Sequence, residues 1–243
     1  QMKKILVVGD SHAAAIKSGV DILQSKNLLN SKFDFCAVGS RLDGFSSLRI
    51  QNRQIIVPEK LFEQRNKIVF FADKREFALD EYDVIAIACA GPYPNPLNIQ
   101  NYHCTEKLIF SSILIDAIVA NLKRYKDIVS DISNLAPSKI IILGAPPPSS
   151  LEPSSTAILK TYQYSELLLL YKQISEACLR TFNANQPSFL LPPKHLLSDT
   201  FFQTKYEYMK KIKLRPNLFD YRHGNDFYGT EIVKKLLAMV YQY

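Results

Sequence analysis

Cysteine is scarce, with four residues in 243, and no two of them form a Cys-x-x-Cys pair. Four scattered thiols do not build a disulfide scaffold, and without paired spacing they suggest neither a zinc site nor dithiol redox chemistry. Cys36 and Cys89 fall in apolar, strand-like runs, Cys104 in a polar loop and Cys178 in a helix-like segment, so all four are read as reduced. Glycine is also sparse, at eight residues. There is no phosphate loop of the Walker or dinucleotide type, and no Gly/Ser-rich linker divides the chain. Long apolar runs are missing too: the stretches at 84–91 and 167–171 fall well below the roughly 18 residues that spanning a bilayer requires. Near the N-terminus, Lys3 and Lys4 are followed by only four apolar residues, 5–8, before Gly9 and Asp10. That is far short of a signal-peptide core, so the expectation is a cytoplasmic protein with no membrane span. His103 beside Cys104 has no second ligand at a recognisable spacing, so no metal is expected.

What is present is the composition of a folded globule, 47% hydrophobic and 22% charged, long enough to bury a sizeable core as one domain over 1–243. The 30 Lys and Arg exceed the 23 Asp and Glu by seven. Such a thin surplus favours anionic partners in general and is too weak to predict nucleic-acid binding.

Strand-like and helix-like segments alternate along the chain. Residues 3–8 form a β-branched run that stops at Gly9-Asp10-Ser11 and gives way to the helix-forming His12-Ala13-Ala14-Ala15-Ile16. A second strand is expected at 33–38, and 55–57 with 68–71 suggest a further short strand or hairpin. The run 83–90 has no polar alternation, which is how a parallel strand covered on both faces reads, so it should be central. Apolar residues spaced by three, four or seven over 105–134 predict an amphipathic helix or a broken pair. A fourth buried strand at 139–143 ends at Gly144 and three prolines, a helix follows over 161–182, and a short fifth strand spans 188–191. Residues 192–219 read as irregular or partly helical, and 228–240 as a closing helix. This alternation predicts a parallel sheet with helices on both faces.

In such a sheet, ligands bind beyond the carboxyl ends of the strands, so the loops there carry the chemistry. Ser11 sits at the first strand-to-helix junction. Gly-Asp-Ser is also an ordinary turn and helix cap. At the far end of the chain, directly before the last helix, lies Asp220-Tyr221-Arg222-His223-Gly224-Asn225. A carboxylate three residues before a histidine in one loop can hold the imidazole Nδ1 and leave Nε2 free as a general base. Each element stands where the other would need it.

Together, Val7-Val8-Gly9-Asp10-Ser11-His12 and Asp220-x-x-His223 with Asn225, Tyr228 and Gly229 make the chain resemble the SGNH or GDSL hydrolase superfamily. The resemblance implies a three-layer, flavodoxin-like α/β fold whose central parallel sheet has about five strands and carries helices on both faces. It also implies Ser11 as nucleophile, His223 as general base and Asp220 as orienting carboxylate. The Gly-Asp-Ser-His form looks most like members acting on acylated bacterial polysaccharides, including O-acetyltransferases and esterases. The implied function is serine-dependent acyl-ester chemistry, O-acetyl transfer to or removal from a carbohydrate. The alternative is a weak or inactive glycan-binding module.

The family's oxyanion hole uses the N–H of the serine, the N–H of a glycine after the second strand and an asparagine in a Gly-x-Asn after the third. Ser11 and Gly39 match the first two, with Gly44 as the fallback. The third departs from the pattern: Gly91 is followed by Tyr93 where asparagine is expected, which leaves either Asn95 or Asn98 to supply the amide or a hole with only two donors. His12 and Tyr93 are candidates to line the substrate site, although a histidine there can equally be a surface residue of the helix start. Lys210 and Lys211 belong to a basic stretch, 205–215, that is either a solvated face or a contact for an anionic substrate. In the second case acetyl-coenzyme A would be the donor substrate, with no bound cofactor.

Overall fold

The first strand, β1 (Lys3–Gly9), is buried along nearly its whole length because apolar side chains point to both sides of it. The computed structural model describes residues 2–38, 47–63, 70–72, 74–89, 123–136, 140–144, 146–147, 149–152, 188–199, 203–211 and 219–242, with scattered positions between 156 and 176. After β1 come α1 (Ala13–Ser25), β2 (Ser31–Val38), β3 (Arg49–Gln51), β4 (Gln54–Ile56), α2 (Glu59–Glu63), β5 (Phe70–Ala72), β6 (Glu76–Ala78) and β7 (Val84–Cys89). The second half holds α3 (Lys123–Leu135), β8 (Ile140–Gly144), β9 (Ser188–Leu190), β10 (Met209–Lys211), β11 (Phe219–Gly224) and α4 (Asp226–Tyr241).

The main sheet runs β5-β2-β1-β7-β8-β9. All neighbours from β2 to β9 pair in parallel, and β5 closes the edge antiparallel to β2. Counted along the chain, the parallel strands lie in the doubly wound order 2-1-3-4-5. The strand order therefore runs from β1 to β2 in one direction and from β1 through β7, β8 and β9 in the other. On the first face Ile5, Val7, Phe35, Ala37, Ala86, Ala88, Ile141 and Leu143 meet the apolar stripes of α1 and α4. On the second, Leu6, Val8, Cys36, Val38, Ile85, Ile87, Ile140 and Ile142 are also buried. Cys36 is a free thiol whose burial pushes its pKa up to about 12, so it is a neutral packing residue.

Of the alternatives left open for 55–57 with 68–71, the described residues hold short strands and no hairpin between them. Phe70 and Phe71 instead cover the open edge of β2, where unpaired backbone groups would otherwise face outward. β4 is already paired on both sides, by β3 and β6, and the β3–β4 turn carries Asn52 and Arg53 at φ of 50° and 59°. Within 192–219 the helical turns at Lys194–Leu196 and Tyr206–Tyr208 fit the partly helical expectation, and the strand β10 departs from it. Of the helix expected over 105–134, the part before 123 lies outside the described residues. The described positions from 165 to 176 are helical. Among the described residues no helix is long and apolar enough to cross a membrane.

Candidate active site

At the carboxyl end of β1 the backbone crowds against β7. A Cβ on Gly9 would lie 2.0 Å from the Ala88 carbonyl oxygen, so only glycine fits there. The next N–H, that of Asp10, donates to the same oxygen at 3.1 Å, tying the turn to the sheet. Asp10 is itself buried, and its Oδ1 accepts the His12 N–H at 2.9 Å. Its carbonyl accepts the Ala13 N–H, and that of Ser11 the Ala14 N–H, which starts α1. With these groups used, the turn leaves the half-buried Ser11 at the helix N-terminus, and its N–H meets no acceptor among the described residues.

The histidine comes from a strand rather than from the loop expected for it. β11 pairs with β10 so that Met209 faces Gly224 and Lys211 faces Phe219, with the register broken between. Three residues of β10 therefore span six of β11, and the surplus bulges out. A regular strand would send residues three apart to opposite faces. The bulge instead lets Asp220 fold back on His223: Oδ1 accepts the His223 N–H at 3.2 Å and Oδ2 meets Nδ1 at 2.7 Å. Asn225 then caps α4, its Oδ1 accepting the N–H groups of Phe227 and Tyr228. Its amide donates to the carbonyl of Glu207, locking the cap to the segment before β10.

What brings the two ends of the chain together is the crossing of α1 and α4. A Cβ on Gly229 would lie 1.7 Å from the Ala15 carbonyl oxygen, and one on Gly19 would lie 2.4 Å from the Gly229 carbonyl carbon. The helices touch backbone to backbone at the first two turns of α1 and the first turn of α4, so the residues just before each helix converge. The Ser11 hydroxyl lies 3.0 Å from His223 Nε2 across 212 positions of sequence. A carboxylate can only accept, so Nδ1 carries the proton toward Asp220 and Nε2 is left to accept the Ser11 O–H. The His223 and Asp220 side chains are 32% and 29% exposed, open enough for a substrate to reach the relay. The arrangement can deprotonate a serine hydroxyl as it attacks an electrophile.

Replacing Asp220 by Asn would offer Nδ1 an amide in place of a carboxylate and favour the wrong tautomer of His223. If the relay turns over an ester, Asp220→Asn is expected to lower kcat on it by roughly 10³- to 10⁴-fold with KM little changed.

Of the other residues singled out in the sequence, His12 lies beside the relay, its ring stacked on that of His223. Lys210 and Lys211 are exposed on β10, with Lys211 opposite the residue preceding Asp220. Gly39, Gly44, Tyr93, Asn95 and Asn98 lie outside the described residues. The helix-crossing glycines were legible only in part: Gly229 stood in the terminal motif, whereas Gly19 shows no local signal beyond being a glycine inside a helical pattern. A cleft of about 210 Å³ lined by Lys4, Lys32, Asp34, Phe35, Lys74 and Phe77 opens near the starts of β1 and β2, the opposite end of the sheet from Ser11. There Lys4 and Lys74 already pair with Asp34 and Glu81, so the cleft adds nothing to the site. Among the described residues no group of three or more His, Cys, Asp or Glu could hold a metal ion. The chain matches no protein-family model and no curated protein sequence.

Proposed function

We propose that the chain is a serine esterase or O-acyltransferase of the SGNH type, acting on an acetyl ester of a carbohydrate. The reading rests on one observation, the continuous line from Asp220 Oδ2 through His223 to the Ser11 hydroxyl, with contacts of 2.7 and 3.0 Å. The doubly wound strand order supports it, because the serine then lies at the carboxyl end of β1, where such sheets bind ligands.

In this reading Ser11 Oγ attacks the ester carbonyl carbon while His223 Nε2 takes the hydroxyl proton. Asp220 steadies the imidazolium that results. The Ser11 N–H points its dipole at the developing oxyanion, and the family resemblance assigns the further donors to Gly39 and Asn95. His223 returns its proton to the leaving alkoxide or thiolate, and the acyl-serine is then opened by water or by a sugar hydroxyl. The exposed Lys210 and Lys211 beside the Asp220 strand suit the phosphates of an acetyl-coenzyme A donor, which favours transfer over simple hydrolysis.

Two measurements test the reading. A fluorophosphonate reagent should add to the Ser11 hydroxyl of the wild type and leave Ser11→Ala unmodified, read by peptide mass. Mixed with acetyl-coenzyme A and a panel of saccharides, the enzyme should release thiol only when a sugar is present, and more slowly when Lys210 and Lys211 are both changed to Ala. Deacetylation of sugar esters without any response to the donor would make it an esterase. No adduct and no turnover would leave a glycan-binding module.

A further inference from the structure

His12 follows the nucleophile in sequence, yet its ring is placed by the other end of the chain. Its backbone N–H is held by Asp10 Oδ1 at 2.9 Å, and its side chain makes no capping bond to α1. The imidazole lies flat on that of His223, centroids 4.8 Å apart and planes 25° from parallel. His223 is otherwise fixed at its two nitrogens, by Asp220 and by Ser11. Two in-line hydrogen bonds still allow the ring to tilt about the axis between them. A second ring against its face removes that freedom.

The stack has an electrostatic consequence as well. Asp220 bonds the His223 ring, Asp10 holds the His12 backbone N–H, and the exposed Asp226 begins α4, while Lys17 farther along α1 is bonded to Asp21 and the β10 lysines are exposed. Two positive charges on rings at stacking distance would repel each other. Turnover needs a positive charge to appear on His223 when Ser11 gives up its proton. If His12 already carries a proton, that imidazolium would be the second charge.

We propose that His12 is a positioning residue that acts through His223: its neutral ring holds the general base in line, and a proton on it holds the relay off. The turnover consequences rest on the acyl-ester reading above, whereas the coupling of the two rings does not.

The sign of the pH effect follows. The wild type loses activity when either ring binds a proton, whereas a variant with Phe at this position loses it only when His223 does. His12→Phe should therefore keep a larger share of its neutral-pH rate in mild acid than the wild type keeps. On an aryl acetate, His12→Ala is expected to lower kcat about tenfold with KM within about twofold, and His12→Phe to restore most of the loss. Histidine-detected NMR, tractable with four histidines in the chain, supplies the readout that needs no turnover. The His223 ring signals should show two inflections against pH in the wild type and one in His12→Phe, which also serves if His12→Ala does not fold.

Identical single-step His223 titrations in the wild type and His12→Phe would overturn the proposal. So would equal rates for His12→Ala and the wild type, or a Phe variant as slow as the Ala variant. If no form turns over the ester while the coupled titration is seen, the acyl-ester reading falls and the pairing of the histidines stands.

Discussion

On the proposed mechanism, Ser11→Ala is expected to lower kcat for a small aryl acetate by roughly 10⁴- to 10⁶-fold, because the atom that would form the acyl bond is gone and the remaining groups would supply only binding and oxyanion stabilisation. KM should change little, since the hydroxyl contributes chemistry rather than ground-state affinity. The melting temperature should stay within about 2 °C of the wild type: Ser11 is half-buried, and the turn around it is held by Asp10 and backbone groups that the substitution leaves intact. Initial rates across a range of ester concentrations, with a thermal melt beside them, make the measurement. A variant keeping more than about a tenth of the wild-type rate would place the nucleophile elsewhere and end the proposal.

Gly229→Val is expected to have the largest effect on stability of any single change near the site. A Cβ there would stand 1.7 Å from the Ala15 carbonyl oxygen and 2.4 Å from its carbon, and neither can move without bending α1. The helices must part, and with them the first-face core to which Ile16 and Val20 of α1 and Ile232 and Val233 of α4 belong. Overpacking against backbone of this kind costs about 3 kcal/mol or more, which for a chain of this size lowers the melting temperature by roughly 6–12 °C. The same parting would draw His223 away from Ser11, and misplacement by about 1 Å can cost roughly 10²-fold in rate. Ala238→Val, at an exposed position of the same helix, is the control and should cost under about 1 kcal/mol. Equal melting temperatures for the two variants would show that the helices are not held at this contact.

The strands of the main sheet were legible because a parallel strand covered on both faces has no polar alternation, as in the runs of β7 and β8. The helix-forming start of α1 directly after Gly9-Asp10-Ser11 was similarly local, written within a few residues. Short strands were harder. β5 has three residues, and its partner is the free edge of β2, more than thirty residues earlier, so nothing nearby in sequence distinguishes it from a hairpin arm. β11 was read as loop because its bulge interrupts alternation, and that same bulge turns Asp220 toward His223.

By itself the amino-acid sequence determined the parallel α/β architecture, the serine at the first strand-to-helix turn and the carboxylate–histidine pair before the last helix. All of these are patterns repeated or completed over a few residues, where backbone geometry ties spacing to direction. Only the tertiary structure decided that Ser11 and His223 stand 3.0 Å apart and that His12 lies against the His223 ring. Those contacts depend on where two helices more than two hundred residues apart cross. That crossing is set by Gly19 and Gly229, which let backbone meet backbone because they lack side chains, and a missing side chain leaves no periodicity in the sequence to read.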